Sequence, residues 1–409
     1  MTIEICGGGF DNKGADLMLR TTLQKLATSA QDRSIAIESH SDSMFRRAAQ
    51  LGVASIYPTN AILPRLLRSA AIRSNMINSL LMSGIRQFAK CTWAQKSGTV
   101  AREACDGLLD ISGYVYGDKF PHVRVKSAMQ RMAPYVKRER PIIFLPQMFG
   151  PFDDSGRHDS FRRCFAMATR IYARDRKSFS ALSDLMGHDE RLRIAPDLTI
   201  FSSLSPGSTF DAKKASGNKY ACIVPNQKLD DAGLSEWDGE AFDRWAVAGK
   251  QILASGLDVS IVIHSDEPGD RVLADRLYKA LSEKSFEKTV SIYHDPDPFR
   301  LKSYLANSQF AVASRYHALV GVFSSGVPAV VMGWAHKYDE LAEEFCLSEF
   351  IHRRADGPDH LESLIRQLLN ESYNQKKRRL LINAKESMEN RAQQMWDDVL
   401  HLIGQPRKD

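Results

Sequence analysis

Ser314-Arg315-Tyr316-His317-Ala318 follows a short strand-like run that ends at Ala313, so Arg315 and His317 fall at a loop-to-helix start. The unsatisfied N–H groups and the dipole of a helix start favour a bound anion. A histidine able to give up a proton, beside an arginine that fixes an anion, is what acid-assisted transfer from a phosphorylated donor requires. One β-unit later, Trp334-Ala335-His336-Lys337 brings Lys337 within reach of the same anion. A lone histidine or lysine would be unremarkable; an Arg-x-His turn with a following lysine is a stronger signal.

Other polar residues sit at similar positions. Gly7-Gly8-Gly9-Phe10-Asp11-Asn12-Lys13-Gly14 lies between a strand and a helix, where glycines let the backbone approach a ligand closely. Its spacing fits neither a Walker A loop nor the dinucleotide fingerprint. Asn12 and Lys13 offer polar and cationic donors there. In Leu145-Pro146-Gln147, Gln147 ends a buried strand, either to read a substrate hydroxyl or only to cap a rigid turn through Gly150-Pro151. Arg174 ends the next strand, free to grip a carboxylate or phosphate with both prongs, or to pair with Asp175 or Asp197.

Alternating strands and helices must carry these residues. Strand candidates are Ile3–Cys6, Ser34–Glu38, Leu108–Ser112, Ile142–Leu145 and Ile171–Ala173 in the first half of the chain. In the second half they are Tyr220–Val224, Val259–His264, Val290–Tyr293, Phe310–Ala313 and Ala329–Met332. The intervening stretches have helical apolar faces, as in Ala15, Met18, Leu19, Leu23 and Leu26. This predicts an α/β protein with two doubly wound domains facing a cleft, ligands binding at the carboxyl ends of the strands. The expected division is an amino-terminal domain over 1–203, a linker over 204–218 within the Ser202–Asn218 run, a carboxy-terminal domain over 219–373, and a terminal helix over 374–409. Leu380, Leu381, Ala384, Met388, Ala392 and Met395 would form one docking stripe on that helix.

The chain of 409 residues is 43% hydrophobic and 25% charged, with no secretory leader and no uninterrupted apolar run of membrane-spanning length. Its six cysteines lack CxxC or His-paired spacing, which reads as reduced, mostly buried thiols in a cytoplasmic protein with no zinc site. Residues 43–102 hold nine basic residues and no acidic one, although the whole chain carries only +6. Such an insertion suits peripheral contact with an anionic membrane at its inner face, or a plainer role as a solvated segment packed on its own domain. Sparse aromatic residues and the lack of a nucleic-acid motif argue against nucleic acid as a partner.

The ordered set Asn12-Lys13-Gly14-Ala15, Leu145-Pro146-Gln147, Gly150-Pro151-Phe152, Ala173-Arg174-Asp175, Ala195-Pro196-Asp197, Ser314-Arg315-Tyr316-His317-Ala318, Gly326-Val327-Pro328 and Lys337 resembles the polysaccharide pyruvyl transferase family. The resemblance implies a GT-B-like pair of Rossmann domains, with the acceptor on the amino-terminal side and the donor on the other. It implies phosphoenolpyruvate as donor substrate, no metal or other cofactor, and a saccharide acceptor that is free or lipid-linked, in exopolysaccharide or lipopolysaccharide biosynthesis. Arg174 and Arg315, joined by Lys337, would hold the donor's anionic groups, with His317 as catalytic acid and Asp110 or Asp118 as candidate base. Met148 and Phe149 depart from the family pattern on the acceptor side. Two other readings are a nucleotide-sugar glycosyltransferase, whose expected ribose-binding acid Asp339 and Glu340 could be misread as supplying, and a non-catalytic membrane-associated protein of the same pathway.

Overall fold

The computed structural model describes residues 1–10, 12–28, 33–39, 41–56, 98–201, 219–229, 237, 239–282 and 289–404. Most of the basic insertion (57–97) and the whole expected linker (204–218) lie outside the described residues. Contacts divide the chain into a first unit of residues 1–10, 22–195 and 395–409, and a second of 11–21 and 196–394. The break therefore falls at Ala195/Pro196, and residues 11–21 and 395–409 each group with the other half of the sequence.

The first unit holds β1 (Thr2–Cys6), β2 (Ser34–Glu38), β3 (Ala54–Ile56), β4 (Gly107–Asp110), β5 (Ile142–Gln147), β6 (Arg170–Ala173) and β7 (Leu192–Ile194) in the order β3-β2-β1-β4-β5-β6-β7. Every pairing is parallel. Among the described residues, the helices of this half of the sequence are α1 (Lys13–Ala27), α2 (Asp42–Gln50), α3 (Val123–Val136), α4 (His158–Ala166) and α5 (Arg176–Met186), with residues 13–21 of α1 grouped in the second unit.

The second unit repeats the plan with β8 (Tyr220–Val224), β9 (Asp258–Val262), β10 (Val290–Tyr293), β11 (Ala311–Ala313), β12 (Ala329–Met332) and β13 (Ile351–His352), ordered β10-β9-β8-β11-β12-β13. Among the described residues its helices are α6 (Ala241–Ala254), α7 (Pro268–Ser282), α8 (Pro298–Ala306), α9 (Tyr316–Phe323), α10 (His336–Glu344), α11 (Gly357–Leu369) and α12 (Glu371–Gly404), with residues 395–404 of α12 grouped in the first unit. In both sheets the order reverses beside the first strand, between β1 and β4 and between β8 and β11. That point is where a doubly wound sheet opens a ligand crevice.

All ten expected strands are present within two residues of their predicted ends. β5, β8 and β9 are buried at every position, as strands covered on both faces must be. The strands not expected, β3, β7 and β13, are all sheet edges of two or three residues. An edge strand so short needs no apolar run of its own, so periodicity misses it. On α12 the predicted stripe is buried at Leu381, Met388, Ala392 and Met395 and continues through Trp396, Val399 and Ile403. Among the described residues, Cys6, Cys105, Cys164 and Cys222 are buried free thiols and Cys346 is exposed. No described helix is long and apolar enough to cross a membrane.

Inside the first unit, the central strand β1 buries the carboxylate of Glu4 completely. Arg102 donates to it from Nε at 2.8 Å and from Nη2 at 3.0 Å, and the Tyr135 hydroxyl donates from α3. A buried carboxylate is tolerated only when paired in this way, and losing one partner strands the others. Glu4→Ala is therefore expected to lower the stability of the first unit by about 3 kcal/mol in urea unfolding. A loss below about 1 kcal/mol would show that the pairing is not structural.

Candidate active site

At the switch point of the second sheet, β11 ends in Ala313 and the chain turns through Ser314 and Arg315 into α9. The Ser314 carbonyl accepts from Asn226 Nδ2 at 3.0 Å and from the Tyr338 hydroxyl at 2.8 Å. These two bonds fix the turn, leaving Arg315 at the N-cap of α9 and His317 in its first turn. The start of α1 packs directly on the imidazole. A Cβ on Gly14 would stand 2.1 Å from His317 Nδ1, so any larger residue there would displace the imidazole. On its other nitrogen, His317 Nε2 lies 3.8 Å from Asp197 Oδ2, a carboxylate that a protonated ring would pair with. Asp197 is itself held by the Thr199 hydroxyl at 2.6 Å and the Thr199 amide at 2.9 Å.

Two of this unit's buried cations, Lys13 and Arg315, are both paired from the β9–α7 loop and the first turn of α7. Lys13, 1% exposed, donates from Nζ to Asp266 at 2.7 Å. Arg315 donates from Nε to Asp270 at 2.8 Å and from Nη2 to Glu267 at 3.1 Å. Asp270 is 1% exposed, whereas the Glu267 side chain is 47% exposed and also faces Lys228 at 3.4 Å. Burial alone would raise the Asp266 carboxyl, but bonds from Lys13 and from His294 at 2.8 Å hold it below its usual range. Burial would likewise raise Glu267, and Arg315 brings it down. His264, in the loop just past β9, is pushed down to about 3 by burial and then by His317, Arg315 and Lys13. It is thus a neutral ring among positive neighbours.

The structure brings Lys13, Arg315, His317 and Asp197 together within one unit, but not all in the expected state. Arg315 is not an open fork, because two carboxylates already occupy it. Lys13 is buried in its ion pair and does not extend outward. Asn12 accepts the Gly14 amide at 2.9 Å, closing the first turn of α1 where a ligand donor was expected. Lys337 lies over aromatic faces, 5.0 Å from Trp334, 5.2 Å from Tyr338 and 5.9 Å from Tyr316. The close approach of Gly7 is likewise internal, since a Cβ there would meet the Ser112 backbone at 2.5 Å.

In the first unit, Gln147 is fully buried and donates to the Asp110 carbonyl at 3.3 Å and its Oδ1 at 3.4 Å. Its amide NH2 thus ties β5 to β4, while its buried Oε1 has no hydrogen-bond partner among the described residues. Asp110 also accepts from the Ser112 amide at 2.9 Å and the Tyr116 hydroxyl at 2.6 Å. Asp118 accepts the Asp154 amide at 2.9 Å and faces Arg157 at 3.6 Å. Both candidate bases thus serve to order loops. Arg174 is buried, and its backbone amide donates to the Gln147 carbonyl at 3.0 Å. Asp175, one of its expected partners, instead caps α5 through the Ser178 amide at 2.8 Å.

Sequence reasoning missed the acidic loop, Ile263-His264-Ser265-Asp266-Glu267-Pro268-Gly269-Asp270. Acids and a proline at a helix start read as ordinary capping, and they carry more here only because basic residues remote in sequence fold against them. It also missed Lys302, which burial pushes down to about 7 and which donates to the Thr199 carbonyl at 2.9 Å behind Asp197.

The depressed His264 predicts an acid dependence. Its ring takes a proton near 6.5 when unfolded and near 3 when folded, so below about 6.5 the unfolded chain binds a proton that the folded chain refuses. Stability should fall by about 2 kcal/mol between pH 7 and pH 5 through this residue alone. His264→Gln should remove that part of the slope in unfolding midpoints measured across the range. An unchanged slope would contradict the assignment.

The polysaccharide pyruvyl transferase family model matches residues 12–336. A search of curated proteins finds no significant sequence match. Among solved structures, the fold is similar to that of Anabaena Alr3699/HepE in complex with UDP and glucose, with 12% identity, TM-score 0.57, and coverage of 97% of this chain and 98% of that one. It is also similar to UDP-GlcNAc 2-epimerase from Neisseria meningitidis bound to UDP-GlcNAc, with 12% identity, TM-score 0.56, and coverage of 96% and 100%. A third is Phytolacca americana UGT2 complexed with UDP-2fluoro-glucose and pterostilbene, with 12% identity, TM-score 0.54, and coverage of 99% of each chain. At such identities the likeness shows the fold alone, of two Rossmann-like sheets as in GT-B enzymes. The family match spans the site just described, from Asn12 through the Arg315–His317 turn to His336, and the chain belongs to the polysaccharide pyruvyl transferase family.

Proposed function

We propose that the protein transfers the pyruvyl group of phosphoenolpyruvate to two hydroxyls of a saccharide, releasing phosphate and forming a ketal. The observation that carries this reading is the packing of His317 against Gly14 and Asp197, in the same cluster as Arg315. Phosphoenolpyruvate is a dianionic-to-trianionic enol phosphate, so it calls for one proton donor and several positive charges.

In this scheme the His317 imidazolium gives its proton to the methylene carbon, leaving an oxocarbenium-like centre at the adjoining carbon. One saccharide hydroxyl adds there, and its proton returns to the now neutral His317 imidazole, restoring the acid. The bond to phosphate then breaks, a second hydroxyl closes the ketal, and its proton completes the balance with inorganic phosphate. Asp197 steadies the ring while it is charged. Asp270 orients Arg315, and the half-exposed Glu267 stands where an anionic group of the donor would go. Lys337, held over its aromatic rings, adds positive charge. Arg174 belongs to the first unit, and its part in donor binding rests on the family resemblance alone. Asp110 and Asp118 receive no role as base, because each carboxylate already orders a loop.

The nucleotide-sugar alternative gains nothing from Asp339, which is paired with Arg353 and so is not presented to a ribose.

Two substitutions test the scheme in a phosphate-release assay with phosphoenolpyruvate and a panel of saccharides. His317→Gln should lower turnover by about 10³-fold while leaving donor affinity within a few-fold. Comparable turnover in that variant would remove the acid from the scheme. Glu267→Gln should tighten phosphoenolpyruvate roughly three- to tenfold, because a competing carboxylate is gone. Weaker binding would mean that Glu267 supports the site and holds no donor's place.

A further inference from the structure

The short strand β13 and the first turn of α11 bring His352, Asp356 and His360 together, in the stretch Ile351-His352-Arg353-Arg354-Ala355-Asp356-Gly357-Pro358-Asp359-His360. None of the three takes part in the site above. One donor atom from each lies within 4.8 Å of the others. His352 Nδ1 and His360 Nδ1 are 3.2 Å apart, and His360 Nδ1 is 3.6 Å from Asp356 Oδ2.

Those separations have a simple geometric meaning. Ligands about 2.0–2.2 Å from a tetrahedral ion stand roughly 3.3–3.5 Å from one another. The second distance, 3.6 Å, is too long for a hydrogen bond, yet it suits two ligands of a common ion.

The rings are also placed for the task. His352 is fully buried beside Trp237, at 5.6 Å between ring centres, and its Nε2 has no hydrogen-bond partner among the described residues. All of its polar chemistry is therefore directed through Nδ1, toward His360. The Asp356 and His360 side chains are 36% and 37% exposed, so an ion can enter from solvent and keep water on its open side. Asp356 Oδ2 accepts the Arg353 amide at 2.8 Å, which orients the carboxylate as an outer bond to a ligand does. The nearby cations are balanced by acids, Arg353 by Asp339 and Arg354 by Glu240.

We propose that His352, Asp356 and His360 form a binding site for one divalent transition cation of the zinc class, with water completing its coordination. Two imidazoles and one carboxylate are a ligand set that zinc accepts. The expectation of no metal rests on cysteine spacing and on the family resemblance, and neither bears on this set, which contains no cysteine and lies apart from the donor site. The ion would clamp the end of β13 to the start of α11.

The test uses the full-length chain without an affinity tag, stripped with a chelator that is then removed. Titration with Zn(II) against a chromophoric chelator should show one equivalent bound, and Co(II) should give the absorption of a four-coordinate site. His360→Ala and Asp356→Ala, both at part-exposed positions, should each weaken Zn(II) by at least about tenfold. His188→Ala, at an exposed histidine elsewhere, should leave binding unchanged. Zn(II) should raise the melting temperature of the unaltered chain and not that of His360→Ala. The proposal is overturned if no stoichiometric uptake occurs, or if His360→Ala binds as tightly as the unaltered chain.

Discussion

Burying Lys13 and Arg315 is the constraint on which the second unit's site depends. An uncompensated charge inside a protein costs far more than a fold can spare, so each cation must meet a carboxylate. Here Asp266 and Glu267 from the loop after β9, with Asp270 from the first turn of α7, answer both. That loop consequently holds the start of α1 and the start of α9 in one relation, and the relation is what puts Gly14 against the His317 ring. The histidine's place is thus set by charge pairing on one side and by the absence of a side chain on the other.

The same arrangement explains why a glycine-rich turn reads ambiguously. Glycine at a strand-to-helix turn permits close approach, but it does not say what approaches. At Gly7 the visitor is Ser112, and at Gly14 it is the imidazole. Neither is a phosphate, although both glycines lie in a stretch that reads like a phosphate loop. Function on this fold resides in the particular side chains, since UDP-binding epimerases and glycosyltransferases share the two Rossmann-like sheets.

Most of the architecture was legible in the sequence because central parallel strands are apolar throughout and helices carry a periodic face. The exceptions, β3, β7 and β13, are edges, where burial makes little demand on composition. For the site, Arg315 and His317 were legible because their spacing at a strand end is unusual. The acidic loop was not, because its residues mimic a helix start and acquire meaning only through partners some 45 to 250 residues away. The ion pairs of Arg315 and Lys13 were hidden for a related reason: residue type reveals chemical capacity, while burial decides which partner within the chain meets it.

Calorimetric titration of the purified chain with phosphoenolpyruvate, with UDP and inorganic phosphate as comparators and Arg315→Ala as control, tests the central claim most directly. The account predicts selective binding of phosphoenolpyruvate that Arg315→Ala weakens by at least about tenfold. Saturable binding of UDP with no response to phosphoenolpyruvate would contradict it and would assign the site to nucleotide-sugar chemistry.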